Sequence, residues 1–204
     1  GFTSSEYRLT ERGPVTLVRP VGDEGPAPLA LLRARPVTTV EDLLVKDAPT
    51  LAEEWQPVDL GDPDAPALEG AEPIESVSRA LSTLMTDGHG PAFALVLAGQ
   101  WALVAERERW PEGRWLAVNV QLVVERYETA RGGEVERALT CLDARSLLPT
   151  AEGETWWAAT LEDSAAHTVG VSKDLREGVR SSIEIIANEV VRRRAARGLE
   201  PLPQ

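Results

Sequence analysis

The chain of 204 residues has a globular composition, with 43% hydrophobic and 26% charged residues, so we expect it to fold around an adequate core. Its 33 acidic and 21 basic residues give a net charge of −12, which argues against nucleic-acid binding across the whole surface and leaves only local contacts with DNA. No window approaches the roughly 20 apolar residues of a membrane helix, and no signal-peptide layout is present, so we expect a cytoplasmic protein without membrane contact.

A strand hairpin and an acidic connector are predicted first. Residues 14–21 and 29–37 are apolar runs, and the Gly, Pro and Asp residues between them favour a turn. Residues 38–73 are rich in Pro, Asp, Glu and Ala, and each proline disfavours helix in the residue before it. We expect this connector to be partly ordered through Trp55 and Leu60.

A helix and three apolar runs follow the connector. Residues 75–86 place three apolar side chains at helical spacing, and the glycines of DGHGP end the pattern. Between Phe93 and Val124, the runs FALVLAG, QWALVAERE and WLAVNVQLVVER predict a buried three-strand core. The third run is expected to turn helical after Asn119.

Three further helices are predicted towards the end of the chain. Residues 133–148 place Val135, Leu139, Leu142 and Leu147 on one helical face. A second helix is expected from Trp156 to His167. The third begins at Ser172, carries a long apolar stripe and ends at Gly198, so it is amphipathic and packs on another surface.

These elements predict an α/β (α+β) fold in which a small mixed sheet with strand hairpins is flanked by helices. We divide the chain into a hairpin with its connector (1–74), a mixed α/β core (75–150) and a helical segment (151–204). The last 34 residues hold seven basic and five acidic groups, so they form the basic end of an acidic chain.

A search for reactive groups predicts no catalytic, cofactor-binding or metal-binding residue. His89 and His167 have no second histidine or cysteine spaced to share a metal with them, so structural or solvent roles are expected. The single cysteine, Cys141, falls on an apolar helical face, and burial is its expected role. Phosphate-loop and dinucleotide fingerprints are absent.

A metal-dependent nuclease is the main enzymatic alternative, because a strand hairpin beside helices can hold Mg²⁺ between an acid and an acid-x-lysine pair. Neither lysine of this chain fits that spacing, because the residue two positions before Lys46 is Leu44 and the residue two positions before Lys173 is Val171. Glu106 and Glu108 are therefore expected to lie on a solvated loop edge.

Two sets of side chains have competing interpretations. The first set is a cluster of arginines near the end of the last helix: Arg192, Arg193, Arg194 and Arg197. One interpretation is that the helix dipole favours cations at this end. The other is that the cluster contacts DNA phosphates. Large aromatic rings bury much area, so Trp101, Trp115, Trp156 and Trp157 are expected to anchor the core or a seam between domains.

The segments FALVLAGQWALVAERERWPEGRWLAVNVQLVVER and HTVGVSKDLREGVRSSIEIIANEVVRRR resemble the N-terminal region of large, Eco57I-like, adenine-specific DNA methyltransferases of bacterial restriction and phage-defence systems (DISARM- or BREX-like). The resemblance covers about residues 75–200. It implies a degenerate, non-cutting relative of the PD-(D/E)xK nuclease domain, placed ahead of a helical connector and a methyltransferase domain that binds S-adenosylmethionine.

Neither the glycine-rich motif for S-adenosylmethionine nor the NPPY-type motif of that family is present, so no cofactor is expected on this chain. We expect the native protein to continue past Gln204 into the methyltransferase domain, and expect DNA and other defence subunits as partners. The chain itself is then an accessory domain. A protein-interaction module without DNA contact and a divergent nuclease remain the alternatives.

Overall fold

The computed structural model describes residues 6–62, 66–150, 153–164, 179–183 and 189. The chain divides into two compact units, Gly1–Trp157 and Ala158–Gln204. The strands of the first unit are β1 Tyr7–Arg12, β2 Val15–Pro20, β3 Leu29–Arg33, β4 Phe93–Ala98, β5 Trp101–Glu106 and β6 Leu116–Asn119. Its helices are α1 Val40–Leu43, α2 Val77–Thr86, α3 Val120–Arg126, α4 Glu134–Leu142 and α5 Ala144–Leu147, with a 3₁₀ turn at Trp110–Glu112.

The six strands form one sheet in the order β1-β2-β3-β4-β5-β6. Neighbouring strands are antiparallel except for β3 and β4, which are parallel. Between these two strands, the connector and α2 carry the chain back to the edge of the sheet at which β3 begins. The expected mixed α/β fold is confirmed, and the expected pairing of the first two apolar runs corresponds to β2 with β3. Segments 1–74 and 75–150 contribute strands to the same sheet.

Both faces of the sheet are covered, because residues along the central strands are apolar on each side. On one face, Leu32, Val96 and Leu103 pack with α1, α2 and the connector. On the other, Leu29, Leu95 and Val104 pack with α5 and with Trp157. A sheet covered on both faces accounts for the near-continuous apolar sequence of β4 and β5.

The acidic connector is built into the first of these cores. Trp55 is 1% exposed, and its backbone exchanges two hydrogen bonds with Ile74, of 2.8 and 2.9 Å. Leu60 is buried in the same cluster. The buried hydroxyl of Thr50 accepts a 3.0 Å bond from the backbone N–H of Val77, which ties the connector to the start of α2. The prediction of order through Trp55 and Leu60 is confirmed.

The helix predicted over 75–86 is α2, and its ends follow from local chemistry. The Ser76 hydroxyl accepts from the backbone N–H of Arg79 and caps the first turn. At the other end the guanidinium of Arg107, from the end of β5, donates to the carbonyl oxygens of Met85 and Asp87. That cation sits where the helix dipole favours positive charge, so it fastens α2 to the sheet.

Two elements differ from the sequence prediction. Strand β1 has no counterpart among the predicted strands, and it extends the hairpin to three strands through the turn at Gly13, where φ is +61°. The single helix expected over 133–148 is two helices, because Asp143 leaves the helical conformation and its carboxylate accepts from the N–H of Arg145 at 2.8 Å. Leu139, expected on the apolar face of that helix, lies on α4 and is 65% exposed.

Helical residues also occur beyond α5. Residues 156–164 are helical, in agreement with the predicted helix as far as Ser164, whereas His167 lies outside the described residues. Within the predicted final helix, residues 179–183 and residue 189 are described, and these are helical. Within the ranges described, no helix combines the length and the apolar character needed to cross a membrane.

Candidate docking surface

The most unusual surface of the described protein is apolar and is formed by β6, α3 and α4. We call this group of elements the docking surface. Helices α3 and α4 are fully described, and neither contains a buried residue. The large apolar side chains left exposed on these elements and at their edge are Trp115, Leu116, Val120, Leu122, Val124, Tyr127 and Leu139. Within this group Leu116 and Leu122 line a common cavity, whereas Leu139 lines a second pocket formed by α4 and α5. Isolated exposed apolar side chains are ordinary, but several of them around a cavity are typical of surfaces that bind a partner.

The position of α3 follows from two residues at its ends. Asn119 ends β6 in extended backbone, and its side-chain oxygen accepts a 2.9 Å bond from the N–H of Leu122, which caps the new helix directly at the strand end. Tyr127 ends the helix in a left-handed conformation, with φ at +47°. The expected third strand is β6, which pairs with β5, and the expected change from strand to helix after Asn119 is confirmed. The expected burial of this strand is wrong, because Leu116 is exposed and the rest of β6 is only partly buried.

A cavity of about 300 Å³ lies where β6, α3 and α4 meet. Its apolar lining includes Leu116, Val118, Leu122, Val123, Ala138 and Cys141. At its polar side, Nη1 of Arg126 lies 2.6 Å from Oε1 of Glu134. The second oxygen of that carboxylate, Oε2, is buried and accepts no hydrogen bond from the described residues. The cavity therefore offers apolar contact beside an ion pair that holds one buried carboxylate oxygen.

The charges around the docking surface are balanced, unlike those of the chain as a whole. Residues 114–145 carry five arginines and five acidic residues, whereas the entire chain carries a net charge of −12. The members are Arg114, Arg126, Arg131, Arg137 and Arg145, with Glu125, Glu128, Glu134, Glu136 and Asp143. A neutral apolar surface gives no electrostatic attraction for phosphates, and it suits a protein partner.

Cys141 lies on α4 and lines this cavity. The side chain is only partly buried, and desolvation raises the pKa of its thiol above the ordinary value. A raised pKa lowers the thiolate fraction at neutral pH, and the thiolate is the nucleophilic form. The indole N–H of Trp157 donates to the Cys141 carbonyl oxygen at 3.0 Å, so this part of α4 is also a packing contact.

The two glutamates considered for a nuclease have different positions. Glu106 is partly buried, and its carboxylate accepts from the backbone N–H groups of Glu108 and Arg109 at 3.1 and 2.9 Å. It therefore stabilises the turn that follows β5. Glu108 is exposed on that turn, in agreement with the sequence prediction. Over the described ranges, no group of three or more His, Cys, Asp or Glu side chains is arranged to hold a metal ion.

The remaining candidate residues are spread along the chain. His89 lies exposed in the turn after α2, where its backbone N–H donates to Asp87 at 2.7 Å. His167 and Lys173 lie outside the described residues, as do the proposed DNA-contacting arginines Arg192, Arg193, Arg194 and Arg197. The structure thus places none of these arginines.

The tryptophans divide between core and surface. Trp101 packs against the core and donates to the Thr38 carbonyl oxygen at 3.3 Å, and Trp157 packs beneath α5. Its neighbour Trp156 meets it edge to face, with ring centroids 5.3 Å apart. Trp115, expected as an anchor, is 36% exposed beside the docking surface. The fully buried ring among those described is Trp55, which the sequence pattern assigns to a connector.

Sequence reasoning misses the docking surface, because its apolar residues are equally typical of a core. One sequence signal for this surface is present. The segment VQLVVERY has apolar residues on more than one face of a short helix, and the sequence that follows offers no apolar segment of similar length to cover both faces. Comparison of the chain with protein-family models, with curated proteins and with solved structures finds no match.

Proposed function

We propose that this chain is the N-terminal accessory domain of an S-adenosylmethionine-dependent DNA methyltransferase that modifies adenine N6 in a bacterial phage-defence system. Its own role is non-catalytic and consists of docking the rest of the enzyme, or a partner subunit, in the cytoplasm. The methyl transfer would take place in the methyltransferase domain, after the adenine is extruded from the duplex. The resemblance of residues 75–200 supports the identity of the parent protein.

The observation that carries the docking role is the exposed apolar surface of β6, α3 and α4. Burying apolar surface stabilises a complex by roughly 25 cal/mol per Å² before the costs of association. Val124 and Leu139 are 64% and 65% exposed, so most of their area is available for contact with a partner. An accessory domain without this contact would keep that area in water at no benefit to its fold.

The occupant that fits this surface is a protein segment with apolar side chains. The lining of the cavity is largely apolar, and Oε2 of Glu134, although it accepts no hydrogen bond from the described residues, is buried out of a partner's reach. DNA does not fit, because the five arginines here are matched by five acidic residues. Contact with DNA is assigned instead to the basic C-terminal end of the chain, through Arg192, Arg193, Arg194 and Arg197.

The experiment uses the native protein that contains this chain, and measures transfer of labelled methyl groups from S-adenosylmethionine to adenine in phage DNA. Substitutions Leu116→Glu and Leu122→Glu should reduce methylation by about tenfold or more, because both residues are partly exposed and line the cavity, so each change places a charge in the apolar contact. Val45→Glu is the matched control, since Val45 is exposed at 52% outside the docking surface. It should leave methylation unchanged.

Three results would contradict the proposal. Unchanged methylation in both docking variants would remove the role of the surface, and absence of adenine methylation in the native protein would remove the parent assignment. Metal-dependent cleavage of phage DNA by residues 1–204, abolished in Glu106→Gln or Glu108→Gln, would establish the nuclease alternative.

A further inference from the structure

Two arginines face each other on the first hairpin, far along the chain from the docking surface. In the antiparallel pairing of β1 with β2, Arg8 is the direct partner of Arg19. Directly opposed residues of an antiparallel pair point to the same face, with Cβ atoms about 4.5–5.5 Å apart. The two guanidinium groups therefore project from neighbouring strands on one side of the sheet.

Among the residues that the structure describes, neither cation has a carboxylate partner. In the part of the chain that the structure describes, the ion pairs involve other arginines, and no hydrogen bond is made by either guanidinium. Nη2 of Arg19 is buried and without a hydrogen-bond acceptor, while Arg8 is exposed at the outer edge of the sheet. The pair thus combines a buried unused donor with an accessible one.

This arrangement is unfavourable without an anion. Like charges directly opposite each other on a β-ladder destabilise the pair, and a buried N–H without an acceptor retains its desolvation penalty. Buried polar groups in proteins are almost always satisfied, so each exception calls for a specific cause. One oxyanion bound at the exposed Arg8 would neutralise the repulsion, and it would accept from Nη2 of Arg19 once that side chain turns out of its buried position to meet it.

We propose that Arg8 and Arg19 form a binding site for a phosphate oxyanion. Guanidinium groups bind phosphate through paired N–H donors, and two of them on adjacent strands hold one phosphate group from two sides. This site is separate from the docking surface and does not depend on the methyltransferase assignment. A two-arginine site is also the local kind of contact that a chain of net charge −12 can make with a nucleic-acid backbone.

The test uses residues 1–204 with two probes. A fluorescent duplex of random sequence is titrated at about 50–200 mM salt and followed by anisotropy, and inorganic pyrophosphate is titrated in a thermal-shift assay. Arg8→Gln/Arg19→Gln should abolish the shift with pyrophosphate and reduce the slope of log K against log salt by about one unit for each phosphate that the variant no longer binds. Arg35→Gln is the control, since Arg35 is an exposed arginine between β3 and α1, outside both the proposed site and the docking surface.

The two probes separate the sources of the phosphate. If the double variant loses both the duplex anisotropy signal and the pyrophosphate thermal shift, the site binds the phosphates of nucleic acid as well as free phosphate. If it loses only the pyrophosphate shift, the site binds a small phosphorylated ligand. No pyrophosphate shift in the native chain, together with an unchanged salt slope in the double variant, would overturn the proposal. Arg8→Gln alone, at an exposed position, repeats the test if the double variant fails to fold, and it should weaken both signals.

Discussion

Trp55 provides the sharpest test of how the acidic connector contributes to the fold. Its ring is 1% exposed and packs in the core cluster that contains Leu51, Leu60 and Ile74. A buried Trp covers about 200–250 Å², which at roughly 25 cal/mol per Å² sets an upper value of about 5–6 kcal/mol for its burial. We expect Trp55→Ala to reduce the free energy of unfolding by about 3–5 kcal/mol, which is a large part of the roughly 5–15 kcal/mol of an ordinary domain.

Trp55→Phe should behave very differently, and it serves as the matched control. The Phe ring is smaller, but it removes Nε1, a buried donor without an acceptor among the described residues, whose desolvation costs about 1–3 kcal/mol. The two effects oppose each other, so the reduction in unfolding free energy should stay within about 1 kcal/mol. Urea unfolding followed by far-UV circular dichroism measures both variants. A reduction below about 1 kcal/mol for Trp55→Ala would show that the connector is not part of the core.

Two other predictions concern a turn and a thiol. Gly99 joins β4 to β5 at φ +62°, and a Cβ there would lie 2.8 Å from Cβ of Pro36, so Gly99→Ala should cost about 1–3 kcal/mol in urea unfolding. Gly88→Ala, where a Cβ meets nothing within 4 Å, should stay within about 0.5 kcal/mol, and equal effects of the two variants would contradict the steric argument. Because burial raises the pKa of Cys141, its alkylation by iodoacetamide at about pH 8 should be slower in the folded chain than in urea. Equal alkylation rates in the two conditions would contradict the shift. Because the pKa of the Cys141 thiol is higher in the folded chain than in the unfolded chain, the unfolded chain loses this proton at a lower pH. The stability that the neutral thiol contributes is therefore complete below the pKa of the unfolded chain and is lost as the pH rises through the pKa of the folded chain.

The elements that sequence predicts correctly are those whose local chemistry and tertiary environment agree. Strands β4 and β5 are almost entirely apolar, and both faces of the sheet are in fact covered there. Ser76 marks the start of α2, and Asn119 marks the point where β6 becomes α3. In each case a capping side chain acts within three residues of its own position, so the signal can be read from a short window.

The errors arise where an element depends on a distant partner. Strand β1 has an alternating, mostly polar sequence, and it is a strand because β2 supplies its hydrogen bonds. Trp55 is a partial success: the sequence predicts that it orders the connector, but its neighbouring prolines and acids are typical of a loop, and only its packing in the cluster that includes α2 makes it a fully buried core position. The break between α4 and α5 depends on whether Asp143 caps a new helix or stays within the old one, and both outcomes are compatible with the same apolar spacing.

The docking surface shows a deeper reason why periodicity alone cannot identify a functional surface. An apolar run is equally favourable against the core of its own chain and against a partner, because the hydrophobic effect depends only on area removed from water. The run that begins in β6 and continues into α3 has the pattern of a core segment, yet Val120, Leu122 and Val124 are exposed. Unlike a core helix, α3 gains no hydrophobic stabilisation from these side chains until another surface covers them. Under the docking role proposed above, a partner supplies that surface, and this accounts for Val and Leu at positions where the isolated chain leaves them in water.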